Sequence, residues 1–162
     1  MTHVELVELA AAWLRGKHAV VITELTHGAG EEPDAIGFKG YGDSTIVECK
    51  ASRADFRADG KKWFRQNPAM GMGKRRYMLA PEGVISVDEL PDGWGLLKPC
   101  GKGVRVVRHG RSFDFYGRAW EIQMLVSALR REDGVSVRRY TYATKCRATI
   151  GCGLAPGGGE KE

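Results

Sequence analysis

Two short stretches on either side of a turn constrain this chain more than any other feature. Asp34-Ala35-Ile36-Gly37-Phe38 and Ser44-Thr45-Ile46-Val47-Glu48-Cys49-Lys50 flank Lys39-Gly40-Tyr41-Gly42-Asp43, a segment with turn chemistry. The pattern predicts a β-hairpin. A five-residue loop sets Phe38 opposite Ser44, Ile36 opposite Ile46 and Asp34 opposite Glu48. Directly opposite side chains share a face, with Cβ atoms about 4.5–5.5 Å apart. Two carboxylates so placed repel unless a cation or a proton lies between them. Strand alternation also puts Glu48 and Lys50 on one face and Cys49 on the other. A one-residue slip would undo both arrangements.

Around the hairpin the chain reads as a single α/β domain. Residues 4–15 have apolar residues at helical spacing and end at Gly16, and 18–25 is rich in β-branched residues and reads as a strand. Residues 26–32 read as a loop. Residues 53–65 read as one helix with Phe56, Trp63 and Phe64 as its apolar stripe. Residues 67–73 read as a flexible loop and 75–80 as a strand. Ser86 to Glu89 fits a capped helical turn, and 94–98 and 104–107 read as strands. Residues 117–131 read as a helix ended by Gly134. Its apolar side chains (Trp120, Met124 and Leu125 on one side, Ile122, Val126 and Leu129 on another) imply docking of a wide face onto a sheet. The expected domain is 1–150, with a disordered tail over 151–162.

Composition narrows the class. Hydrophobic residues are 43% and charged residues 28%, as in an ordinary globular protein. No apolar run approaches the roughly 18–20 residues that span a bilayer, so no membrane partner is expected. Residues 1–5 lack the basic-then-apolar order of a signal peptide, which makes a cytoplasmic location the expectation. Cys49, Cys100, Cys146 and Cys152 form no Cys-x-x-Cys pair and read as free thiols. The four histidines show no ligand spacing and read as incidental. Charge is segregated along the chain. Residues 1–49 carry three basic and eight acidic residues, and residues 50–76 carry nine and two. An acidic block thus leads into the hairpin and a basic block begins at Lys50, a layout suited to a metal pocket beside a polyanion track.

The chemistry follows from residue type. Mg²⁺ and Mn²⁺ prefer hard oxygen ligands, which Asp34, Glu48 and the backbone carbonyl of Cys49 can supply. A cation held there lowers the pKa of a water and polarises a scissile phosphate. Lys50, on the Glu48 face, would orient the water or stabilise developing negative charge. Gly71-Met72-Gly73-Lys74 is not a phosphate loop, because Pro68 and Arg75 stand where that motif needs Gly and Ser or Thr.

Glu31-Glu32-Pro33-Asp34, then Glu48-Cys49-Lys50-Ala51-Ser52-Arg53-Ala54-Asp55-Phe56-Arg57-Ala58-Asp59, resembles the PD-(D/E)xK nuclease superfamily. Within it the chain is most similar to small phage and bacterial proteins related to the MmcB-like DNA repair family. Arg76-Tyr77-Met78-Leu79-Ala80-Pro81-Glu82-Gly83 and Pro91-Asp92-Gly93-Trp94-Gly95 extend the similarity. It covers residues 18–98 well and the 117–131 helix loosely. The resemblance implies a restriction-endonuclease-like αβββαβ core, a mixed sheet flanked by helices. It maps the family Asp, Glu and Lys to Asp34, Glu48 and Lys50. An additional acidic residue maps to Glu24, with Glu8 as the alternative. The implied activity is Mg²⁺- or Mn²⁺-dependent hydrolysis of DNA phosphodiester bonds, in repair, recombination or phage DNA processing, in a bacterial or phage-infected cell.

Ser52, Arg53, Arg57, Lys61, Lys62, Arg65 and Lys74 are the expected nucleic-acid contacts, with Ser52 also the expected cap of the helix that follows. Asp55 and Asp59 are expected to pair with Arg and Lys of that helix. RNA as partner and self-association into a homodimer stay open. Two rival readings are a non-catalytic binding module on the same fold and a structural zinc protein using Cys100, Cys146 and Cys152.

Overall fold

The hairpin holds the register its turn demands. In a computed structural model, which describes residues 1–26 and 30–131, Ala35–Phe38 and Ser44–Cys49 pair antiparallel with Phe38 opposite Ser44 and Ile36 opposite Ile46. The loop is the expected 39–43, closed by Lys39 N–H donating to the Asp43 carbonyl at 2.7 Å.

The elements run α1 (His3–Arg15), β1 (Val20–Thr23), β2 (Ala35–Phe38), β3 (Ser44–Cys49), α2 (Arg53–Asp59), α3 (Trp63–Gln66), β4 (Arg75–Leu79), β5 (Gly95–Cys100), β6 (Gly103–Arg108) and α4 (Arg118–Arg131). The strands form one open mixed sheet in sequence order, β1-β2-β3-β4-β5-β6. β3 runs parallel to β4 and β4 to β5, and the other pairs are antiparallel. The parallel steps need crossovers, which α2 with α3 and the 80–94 segment supply. The chain is thus α/β, with the α-β-β-β-α-β order read from the sequence.

Alternation sorts the strand residues into two cores. Val47, Cys49, Tyr77 and Leu79 pack with Leu6, Ala10 and Leu14 of α1. Ile36, Ile46, Met78 and Leu96 pack with Met124 of α4, and Phe56 of α2 packs against that cluster. Thr2 starts α1 with a full capping box, and Ser52 caps α2 by accepting the Asp55 N–H.

Three expectations need correction. The 53–65 helix is broken: Gly60 ends α2, and Lys62 is extended (φ −63°, ψ 140°) before α3 begins. Trp63 consequently points out, 58% exposed. The 67–73 segment is folded rather than flexible. Buried Arg76 donates to the Pro68, Gly71 and Gly73 carbonyls, while Glu31 accepts the Met72 N–H and Glu121 the Gly73 N–H. Finally, α4 docks only one side. Met124 is fully buried and Trp120 and Leu125 pack beside it, but Ile122, Val126 and Leu129 remain exposed. The loop residues 27–29, the helix end at Gly134, Cys146, Cys152 and the tail from 151 lie outside the described residues, as does the stretch of the expected domain after Arg131.

Candidate active site

The ends of β1, β2 and β3 bring three acidic residues side by side. The Glu24 N–H donates to the Asp34 carbonyl at 3.2 Å, continuing the β1–β2 ladder past Thr23–Ala35. The β2–β3 ladder stops at Ala35–Val47, one pair short of the expected Asp34–Glu48 pair. There the Asp34 carboxylate bends over β3, and its Oδ2 accepts the Cys49 N–H at 2.6 Å. Burial, then the charge of Glu48, pushes the Asp34 pKa up from 3.8 to about 6. The charge of Glu48 thus bears on Asp34, although the expected Asp34–Glu48 pair does not form in the ladder.

Glu48 is almost wholly buried, at 1% exposure. Its Oε2 takes Lys50 Nζ at 3.1 Å and Arg65 Nη2 at 3.1 Å. Its Oε1 is buried with no hydrogen-bond partner among the described residues. An orphaned carboxylate oxygen in a buried site costs free energy unless something cationic or protic meets it. Lys50 is 3% exposed and reaches Asp59 Oδ1 at 3.1 Å as well. Burial pushes the Lys50 ammonium down, but Glu48, then Asp59 and Asp34, outweigh it, so the side chain stays charged. Cys49 faces the α1 core as expected, and burial raises its thiol pKa.

The break between α2 and α3 builds the rest of the cluster. In one continuous helix Asp59 and Arg65 would stand about 9 Å apart along the axis, on different faces. The turn at 60–62 folds Arg65 back, so that Nε meets Asp59 Oδ2 at 2.6 Å and Nη1 meets Glu31 Oε1 at 2.5 Å. The guanidinium also lies over the Trp94 ring, 4.6 Å from its centroid. Arg65 is thus no surface contact. Its side chain is 3% exposed, and the expectation that it touches DNA gives way to a structural role. Burial would raise the Asp59 pKa, but Arg65, Lys50 and Lys62 hold it down at about 2.

The other expected contacts divide. Arg57 and Lys61 are exposed on the α2 side of the site. Lys62 is 44% exposed and straddles the rim, 3.1 Å from Asp59 and 4.0 Å from Glu48. Arg53 is paired fork to fork with Glu89, at 2.6 Å for each bond, and also donates to the Val84 carbonyl. The Lys74 N–H is held by Ser44, away from α2. Asp55 accepts the Ala51 N–H rather than pairing with an Arg or Lys.

Glu24 stands at the rim, 54% exposed, with a left-handed backbone (φ 46°) that a glutamate adopts only under strain. His3 Nε2 sits between Glu24 Oε1 (3.5 Å) and Asp34 Oδ1 (3.6 Å). Spacing gave no hint of His3 or of Glu31, which reach the cluster from α1 and from the loop before β2.

The donor set fits a hard divalent cation in part. Glu48 Oε1 has no hydrogen-bond partner among the described residues, and Asp34 Oδ1 lies 3.6 Å from His3 Nε2. Among the described residues no three of His, Cys, Asp or Glu form a ready metal cage. Two carboxylates suit Mg²⁺, which keeps several waters and takes the rest of its shell from substrate phosphate.

No family model and no curated protein matches the chain. A solved structure of a protein of unknown function from Silicibacter pomeroyi is similar to it, with a TM-score of 0.63 and 24% identity, covering 95% of this chain and 97% of that one. At that identity the likeness shows the fold alone, an α/β chain with a mixed sheet flanked by helices.

Proposed function

We propose that the chain is a Mg²⁺- or Mn²⁺-dependent nuclease that hydrolyses DNA phosphodiester bonds at Asp34, Glu48 and Lys50. The observation that carries this reading is the buried, unpartnered Glu48 Oε1 beside an Asp34 whose carboxyl is pushed up to about 6. A cation beside either group would relieve it, and the charge of Glu48 already bears on Asp34. Asp34 and Glu48 would hold it. When bound, the cation supplies Lewis-acid polarisation of the phosphate and a water of lowered pKa.

The chain's own residues supply the rest. Lys50, charged and fixed between Glu48 and Asp59, presents an ammonium where phosphate oxygens gain negative charge. Arg65 and Asp59 fix the positions of Glu48 and Lys50. Lys62, Lys61 and Arg57 offer exposed cations on the approach, which would draw in a polyanion and make binding salt-sensitive. His3 bridges Glu24 and Asp34 at the rim. The setting proposed with this activity is the cytoplasm of a bacterial or phage-infected cell, and the process is repair, recombination or phage DNA processing.

The near-complete burial of Glu48 favours a second reading, a non-catalytic nucleic-acid module on this fold. One experiment separates the two. Wild type and the Glu48→Ala and Lys50→Ala variants are incubated with single-stranded, duplex and branched DNA, with Mg²⁺, Mn²⁺ or chelator. The proposal expects metal-dependent cleavage by wild type, reduced at least a hundredfold in both variants, with DNA binding kept. Binding without cleavage in any metal would establish the second reading instead.

A further inference from the structure

The sheet carries a second charged hollow, on its other face and at its other end. It lies where the C-terminal end of α1 meets the hairpin loop and the first residues of β3 and β4. Lys17, Lys39, Arg75, His109, Trp13 and Tyr77 line it, around a cavity of about 210 Å³. Thr45 and Glu48 belong to the same strand but to opposite faces, three residues or about 10 Å apart, so this hollow is separate from the carboxylate cluster.

Its groups leave nitrogen in excess. Asp43 is the one acid in the lining, and it is taken by Arg75 Nη1 at 2.6 Å. Among the described residues the other guanidinium N–H groups of Arg75 make no hydrogen bond. Lys17 Nζ rests 4.0 Å over the Trp13 ring. Lys39 has no ion-pair or hydrogen-bond partner for its amine among the described residues. Burial, and after it the charge of Lys39, lowers the Lys17 pKa, so the two amines stand close enough to oppose each other.

His18 adds no charge. Its Nδ1 lies 3.1 Å from the Leu14 carbonyl, which can only accept, so Nδ1 carries the proton. Its Nε2 then accepts from the Thr45 hydroxyl at 3.1 Å, and burial keeps the ring neutral. Three cations thus face one spent carboxylate.

The walls are set by backbone. A Cβ on Gly37 would stand 2.6 Å from His18 Cγ, so only glycine lets that ring lie against β2. A Cβ on Gly95 would stand 2.4 Å from the Tyr77 ring. The hollow is too small for a drug-sized ligand, whose pockets start at about 300 Å³. It is large enough for one tetrahedral anion and its ester oxygen.

We infer that this hollow binds a phosphate group through Lys17, Lys39 and Arg75. A planar guanidinium edge and two point-charge amines around one cavity match the oxygens of a phosphate. Two sources carry this chemistry, a free phosphate monoester and the backbone of a nucleic acid. The inference does not depend on the nuclease reading, since it uses none of the same residues.

The test is calorimetric titration of the full chain with inorganic phosphate, at ionic strength held constant with chloride. Wild type is compared with Lys17→Gln/Lys39→Gln and with Lys102→Gln, an exposed lysine of the β5–β6 turn. Both lysines of the pair are exposed, so the variants should fold, and matching circular dichroism verifies it. The expected result is phosphate binding in wild type and Lys102→Gln, weakened at least tenfold in the double variant. Equal binding in all three proteins, or no binding above the chloride control, overturns the inference. A second titration with a short single-stranded oligonucleotide names the source. Weakening in the double variant points to backbone phosphate, and unchanged oligonucleotide binding beside lost phosphate binding points to a free ester.

Discussion

β3 ends in two charged sites that solve opposite problems by opposite means. At its C-terminal end, acids are buried and heavily cross-paired: Glu48, Asp59 and Glu31 share Lys50 and Arg65, all with side chains no more than 4% exposed. At its N-terminal end, Lys17 and Lys39 are exposed to solvent, and among the described residues Arg75 alone of the three cations has an ion-pair partner. The difference teaches where charge is costly. Buried ions without partners cost several kcal/mol each, whereas exposed like charges are screened by water and salt. The buried end must therefore be nearly complete within the fold, and what it lacks (a partner for Glu48 Oε1) is informative. The exposed end can stay incomplete at little cost.

The largest effect should come from breaking the buried end. Asp59→Ala strips Lys50, Lys62 and Arg65 of a shared carboxylate and should cost about 3–5 kcal/mol in denaturant unfolding. A cost near that of a surface substitution would erase the contrast between the two ends.

Proton linkage at Asp34 comes next. Its pKa is about 6 in the folded chain against 3.8 unfolded, so the folded state binds the extra proton between those values. Its contribution is full below pH 3.8 and is lost as pH rises through about 6, a fall on the order of 3 kcal/mol at most. Asp34→Asn should remove that fall, and Mg²⁺ should offset it in wild type alone. Asp59 works the other way: its contribution is present above pH 3.8 and is lost as pH drops through about 2. Unfolding curves from pH 2 to pH 8 measure both.

Gly37→Ala drives a methyl into the His18 ring and should cost about 1–3 kcal/mol, measured by thermal unfolding, while leaving any metal-dependent activity intact. The smallest effect belongs to Lys39→Gln, expected within about 0.5 kcal/mol of wild type. A large loss there would mean that the open end is held together by charge after all.

Much of this was legible in the sequence, because period-two alternation and turn chemistry act over a few residues. Phe38–Ser44 and Ile36–Ile46 pairing, the Glu48–Lys50 face and the Ser52 cap all follow from such local rules. Asp59 pairs with Lys62 and Arg65, in keeping with its expected pairing to basic residues of the 53–65 segment, but the choice of Arg65 was not legible. Helical periodicity runs straight through Gly60, and only the break at 60–62 turns Arg65 inward. The order of residues 67–73 was hidden for a related reason. Glycine and proline signal a loop, but Arg76, Glu31 and Glu121 pin its backbone from 3 to 48 residues away. Nor does spacing reveal His3, which reaches Asp34 because α1 begins where β2 begins.

The most direct test of the account is a crystal of the full chain soaked in Mn²⁺ and measured at the manganese edge. The account predicts one anomalous peak within ligand distance of both Asp34 Oδ1 and Glu48 Oε1, with Lys50 still between Glu48 and Asp59. No peak at that place in a crystal that binds Mn²⁺ elsewhere, with Glu48 Oε1 met instead by a water or a side chain, would contradict it.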